Sequence, residues 1–184
     1  FASRARVGAL IAGAVDPVSG QPELKHTPAT LRRYVPAWHG FALSRSALIT
    51  DDCTYRVAAK GRDHWRYELA GDVAPSSWSA WARAACPSAD EWIEYSDPAT
   101  GRYRGAGLAA GRVQACLFVA PQARLPERTW LGGLFAAARL DDASRAGLLT
   151  GRAPVGVRPG GPIVCSCFGV GRTALIDAIR VAAP

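Results

Sequence analysis

Three observations in the sequence predict an α+β fold. Residues 92–120 hold three runs of β character in succession, at 92–95, 103–108 and 112–120, separated by turn-rich stretches. Ahead of them, Trp78, Trp81, Ala82 and Ala85 recur at i, i+3, i+4 and i+7, the spacing of one helix face. Behind them, Trp130, Leu131, Leu134, Phe135 and Ala138 make a second helical stripe. A strand meander flanked by helical segments is an α+β pattern.

Composition bounds the function. A chain of 184 residues is long enough for one or two compact domains. A hydrophobic fraction of 49% with 20% charged residues is ordinary for a globular protein and argues against disorder. The net charge of +7 comes mainly from arginine and raises nucleic acid as a partner. The arginines are scattered, however (Arg4, Arg32, Arg56, Arg83, Arg112, Arg145, Arg172), with no dense block or aromatic–basic repeat, so no nucleic-acid partner is expected. Five cysteines are an odd number with one close pair, which does not resemble a secreted disulfide framework; a reducing cytoplasm is expected. No apolar run approaches the length of a bilayer span, so no membrane association is expected. With no Met, an apolar-basic start and an end inside a helical pattern, the chain reads as an internal fragment of a longer protein.

In chain order, residues 15–28 run Val-Asp-Pro-Val-Ser-Gly-Gln-Pro-Glu-Leu-Lys-His-Thr-Pro. Asp-Pro and Ser-Gly are turn punctuation, and Pro22 and Pro28 exclude a helix between them. The stretch reads as a loop of fixed shape leading into a short strand at 29–35. Residues 37–50 read as the crossing into a second domain, with Trp38 and Phe41 packed at the junction. Residues 65–69 alternate like a strand, and Ser77 is placed to cap the helix that starts at Trp78 and closes at Cys86-Pro87. Residues 97–101 and Ala110-Gly111 supply the turns of the meander. The run 112–120 is apolar on both faces at its end and should be the most buried strand. A last short helix over 142–149 should be capped by Asp142 and stop at Gly151.

This middle region, residues 37–152, holds no catalytic constellation: no Ser/His/Asp set, no P-loop, no H-E-x-x-H. Cys86 and Cys116 read as core packing, as do the tryptophans. The region is expected to act as a connecting or docking domain.

Chemistry concentrates at the two ends. Near the C-terminus, Pro162-Ile163-Val164 leads into Cys165-Ser166-Cys167-Phe168-Gly169-Val170, after which Leu175, Ile176 and Ile179 recur at helical spacing. A strand end, two thiols and a helix start at Gly171 or Thr173 make a soft-metal half-site, because thiolates near a helix N-terminus have lowered pKa values. These residues resemble the opening of a bacterioferritin-associated-ferredoxin type [2Fe–2S] module. In that family a Cys-x-Cys and a Cys-x-x-Cys roughly thirty residues later hold one cluster. The resemblance makes Cys165 and Cys167 two of its four ligands, with the second pair falling beyond Pro184.

At the other end, residues 15–28 resemble the close of the molybdopterin-dinucleotide-binding domain of assimilatory nitrate reductases. The resemblance implies that Lys25 contacts a bis-molybdopterin guanine dinucleotide cofactor, a role suited to a compact point charge facing pyrophosphate or pterin oxygens. It also places Gly8, before Ala9-Leu10, where the family usually has a cofactor-bonding Asn; a glycine backbone N–H can still approach a ligand. Residues 145–162 match the connection to the iron–sulfur tail of the same family, so the resemblance runs the length of the chain.

The resemblance implies three parts. Residues 1–36 would be the end of the molybdopterin-dinucleotide-binding β-barrel domain, 37–152 a small α+β connecting domain, and 153–184 the truncated start of a small helical [2Fe–2S] domain. It implies a cytoplasmic enzyme reducing nitrate to nitrite at molybdenum, with a [4Fe–4S] cluster and all catalytic residues upstream of Phe1. Electrons would come from ferredoxin, flavodoxin or a nicotinamide-dependent reductase. Three alternatives stay open: a formate dehydrogenase-like molybdopterin enzyme, a flavin-dependent nitrite reductase, and a non-enzymatic ferredoxin-like electron-transfer module.

Overall fold

The computed structural model describes residues 6–15, 18–31, 35–50, 53–154, 163–165 and 170–182. It divides into two compact units, Phe1–Val35 and Pro36–Pro184.

In the first unit, β1 (Arg6–Val15) pairs antiparallel with β2 (Pro22–Leu31) in continuous register from Arg6↔Leu31 to Val15↔Pro22. This corrects the loop expected over residues 15–28: its second half, from Pro22 on, is the second arm of a hairpin. Pro28, opposite Ala9, had argued against regular structure. A proline lacks only its own N–H, and in a two-stranded ribbon each strand keeps an outer side where that loss breaks no ladder bond. The strand expected over 29–35 is the end of β2, which stops at Leu31.

The second unit is built on a six-stranded sheet of order β4-β5-β3-β8-β7-β6. Its strands are β3 (Trp38–Ser44), β4 (Tyr55–Lys60), β5 (Trp65–Gly71), β6 (Glu91–Asp97), β7 (Arg102–Ala109) and β8 (Arg112–Ala120). All neighbours are antiparallel. The meander β6-β7-β8 lies where the sequence patterning puts it. The segment 37–50 is not a crossing: Trp38–Ser44 is a central strand, between β5 and β8. Trp38 and Phe41 are both buried, but in clusters on opposite faces of the sheet.

Each face is covered. On one side, Trp38, Ala42, Tyr67, Leu117 and Val119 pack against α1 (Trp78–Ala85) through Ala82 and the C-capping Cys86, with Trp78 and Trp81 alongside. Helix α1 starts where Ser77 Oγ accepts from the Ala80 N–H at 3.2 Å, as the sequence predicts. On the other side, Phe41, Leu43, Cys116 and Phe118 meet Leu131, Leu134, Phe135 and Leu148. The stripe beginning at Trp130 forms a shorter helix than its spacing predicts. It comprises α2 (Thr129–Gly133) and a 3-10 turn (Leu134–Ala136), a brevity that fits the cost of Gly132 and Gly133 in a helix interior.

The following α3 (Asp142–Gly147) is capped by Asp141, whose Oδ1 accepts from the Ser144 N–H at 2.6 Å. Asp142, expected at the cap, is instead the first helical residue, where its charge complements the helix dipole. A 3-10 turn (Leu148–Thr150) then ends on Gly151 at φ 66°, a left-handed stop that favours glycine.

Beyond it, β9 (Ile163–Cys165) pairs with β10 (Val170–Gly171), and α4 (Arg172–Ala182) follows directly.

Candidate functional site

The two ends singled out by the sequence fall on defined elements. Cys165 is the last residue of β9, opposite Val170 in β10. Val170 stands two residues before Arg172, where α4 begins. The expected strand end and helix start are therefore present, with the two-residue β10 between them. Cys167 lies outside the described residues. Helix α4 buries none of its residues; Leu175 and Ile179, the apolar stripe that predicted it, are exposed.

The donor chemistry suits iron, since two thiols of a Cys-x-Cys are half of a four-thiolate set. Among the described residues no cluster of three or more His, Cys, Asp or Glu side chains could hold a metal. Two of the remaining cysteines, Cys86 and Cys116, are buried in the sheet unit. Cys116 is fully buried in β8, and its thiol is pushed up to about 12, first by burial and second by Cys86. A thiol held protonated at neutral pH is neither a ready ligand nor a nucleophile. In the native chain Cys86 and Cys116 should therefore resist iodoacetamide, and both should be alkylated once guanidinium unfolds the sheet. Rapid labelling of Cys116 in the native state, read by peptide mass, would contradict this burial.

Lys25 is in β2 opposite Ala12, and Gly8 is in β1 opposite Ala29. Both candidate cofactor contacts thus lie on one hairpin, four register positions apart, or about 13 Å at the rise of an antiparallel strand. Sequence reasoning missed this pairing because turn punctuation and prolines masked the strand.

The second unit has an open apolar pocket of about 230 Å³, lined by Trp38, Cys53, Val73, Ala74, Trp78 and Trp81. Trp38 is held rigidly there. Its Nε1–H donates to Val73 O at 2.9 Å, and a Cβ on Gly71 would meet the indole at 2.7 Å. No acid, base or nucleophile set converges on this pocket.

A buried tyrosine belongs to a latch between strands. Tyr103, fully buried, donates to Glu94 Oε1 at 2.5 Å, while Arg83 reaches both Glu94 oxygens at 2.8 and 2.7 Å. The Arg83 hydrogen bonds hold Glu94 below its ordinary value, and burial raises Tyr103 far above its own. Tyr103 therefore stays protonated, and the group ties α1 to β6 and β7 without a substrate-facing atom.

Sequence reasoning also missed a concentration of arginines at one end of the sheet, which no local pattern announces because the residues come from separate strands.

No protein-family model matches the chain, and no solved structure matches it. The chain is similar to a curated nitrate reductase of Klebsiella oxytoca, 29% identical over 188 residues. The match takes in 97% of the chain and 20% of the relative, so the chain spans about a fifth of that protein's length. This similarity, nearly end to end on the chain, supports a relationship to nitrate reductases.

Proposed function

We propose that the chain is part of a molybdenum-dependent assimilatory nitrate reductase, reducing nitrate to nitrite. The observation that carries the reading is the similarity to a nitrate reductase along 97% of the chain. Within such an enzyme, the β1–β2 hairpin would form a wall of the bis-molybdopterin guanine dinucleotide site through Lys25, with the Gly8 backbone further along the same hairpin. Cys165 and Cys167 would supply half of a [2Fe–2S] electron-relay site. The placement of Cys165 at a strand end, just before a helix start, supports that role. The reacting centre would belong to another part of the enzyme, and the donor would be ferredoxin, flavodoxin or a nicotinamide-dependent reductase.

Lys25 tests the reading at the cofactor. A charge-assisted hydrogen bond is worth roughly 1.5–3 kcal/mol. Its loss in Lys25→Ala should weaken pterin retention by roughly 10- to 100-fold while leaving the melting profile unchanged. Molybdenum and pterin content per chain are measured in the complete enzyme. Full content with unaltered nitrate reduction would reduce the hairpin to a structural element.

A further inference from the structure

Cations distant in sequence converge at one end of the six-stranded sheet. The β4–β5 turn carries Lys60 and Arg62, β3 runs into Arg45, and β8 begins at Arg112. The pairings Lys60↔Trp65, Ser44↔Trp65 and Ser44↔Ala115 put these strand ends together. The Arg45 N–H donates to Gln114 O at 2.8 Å, which brings Arg45 beside the start of β8. Arg139 lies over the β7–β8 turn, where a Cβ on Gly111 would meet its Cγ at 3.1 Å.

The group is held on a rigid base. Arg45 donates to Phe135 O at 2.7 Å and to Val113 O at 3.3 Å, and its guanidinium stands 5.7 Å from the Phe135 ring. His64 stacks on the same ring at 5.0 Å. Like charges crowd here. Burial and then Arg112 lower the Arg45 pKa, while burial followed by Arg66 holds His64 below its ordinary value, with Arg45 adding to the effect. Asp63 opposes both shifts. Two carboxylates of this unit have contacts of their own: Glu68 is in an ion pair with Arg128, and Asp141 caps α3. Lys60, Arg62, Arg112 and Arg139 are exposed.

We propose that this end of the sheet is a docking surface for an acidic face of a partner protein. Crowded like charge on a rigid frame, offset in part by Asp63, disfavours the compact state; Lys60 also lies over the Trp65 ring at 5.7 Å, while Arg62 and Arg112 stand exposed at the sheet end. What they provide is a convergent positive field, which steers an anionic partner and sets its orientation. The patch crosses from β4 to β8, three strand spacings or about 14 Å. That compact shape fits a small, charge-dominated protein contact. A nucleic-acid strand needs a longer basic track with stacking platforms. The surface is a property of the sheet and stands whether or not the chain serves a nitrate reductase.

The probe is a fluorescein-labelled polyglutamate peptide, with a single-stranded oligonucleotide of matching charge as competitor class, both followed by anisotropy on the full chain. The peptide should bind at low salt and weaken as salt rises. Arg62→Glu with Arg112→Glu should weaken it at least about tenfold. Arg102→Glu with Arg180→Glu, exposed residues outside the patch and an equal change in net charge, should stay within about twofold. Melting curves confirm folding, and Lys60→Gln with Arg139→Gln replaces the first pair if it misfolds. Equal loss in both double variants would mean that only net charge matters and would overturn the proposal. So would absence of peptide binding, or an oligonucleotide that binds at least about tenfold tighter through the same arginines.

Discussion

Cys165→Ser in the complete enzyme should abolish nitrate reduction driven by the physiological donor while sparing reduction driven by a small reduced dye. A serine alkoxide is a poor ligand for iron in place of a soft thiolate, so the substitution should destroy or badly weaken a cluster held there. Cys165 sits in the second unit, on β9, whereas Lys25 and the hairpin form the first unit, which the substitution leaves intact. A dye that reaches the upstream centres directly bypasses the relay and should still support turnover. Both assays are run on one preparation, with iron and molybdenum counted. If dye-driven activity falls as far as donor-driven activity while molybdenum is retained, the tail is not a simple electron entry. If neither activity nor iron content changes, Cys165 is not a ligand.

The second large effect is on stability. Phe118→Ala should destabilise the sheet unit by about 3–5 kcal/mol, the usual cost of emptying a well-packed aromatic site. Phe118 is 1% exposed in a central strand, and its ring stacks on Phe41 at 4.9 Å with an interplanar angle of 8°. Arg104 lies over the Phe118 ring at 5.8 Å, so truncation removes a cation–π contact as well. Both strands are held by neighbours on each side, which limits how far the backbone can close in on the space. Val57→Ala, on the exposed edge strand β4, should cost no more than about 0.5 kcal/mol. Guanidinium unfolding followed by tryptophan fluorescence reads the right unit, since all six tryptophans lie after residue 35. A cost below about 1 kcal/mol for Phe118→Ala would mean that this face of the sheet does not depend on the stack.

Local signals were read correctly where local physics decides the outcome. The strand at 112–120 needs only its own run of apolar residues, and the meander turns need only their own residues. Ser77 and Gly151 act within one helical turn of themselves. Errors arose where the deciding contact was remote. Trp38–Ser44 carries His39 and Gly40 and has no clear alternation, yet it is a central strand because β5 and β8 both pair with it. β4 went unread because it is an exposed edge, with no buried face to impose an apolar pattern. Asp141 and Asp142 were interchangeable as caps by composition; the backbone alone chose between them, placing Asp141 at φ −78° and ψ 166°.

The candidate sites divide along the same line. The strand end at Cys165 and the helix start after it, though not the short β10 between them, follow from residue types at close spacing and were determined by the sequence alone. So was the likeness of Lys25 and its surroundings to a pterin-binding segment, which rests on consecutive residues. Only the tertiary structure decided that Lys25 and Gly8 share one hairpin, through pairing across the turn. Only it decided that Arg45, Arg62, Arg112 and Arg139, scattered by every sequence measure, meet at one end of a sheet. The physical reason is that strand order is set by hydrogen bonds and packing between distant segments. Arg45 and Val113, for example, are joined across 68 positions. No period, cap or turn in the intervening chain encodes which of its strands will become neighbours.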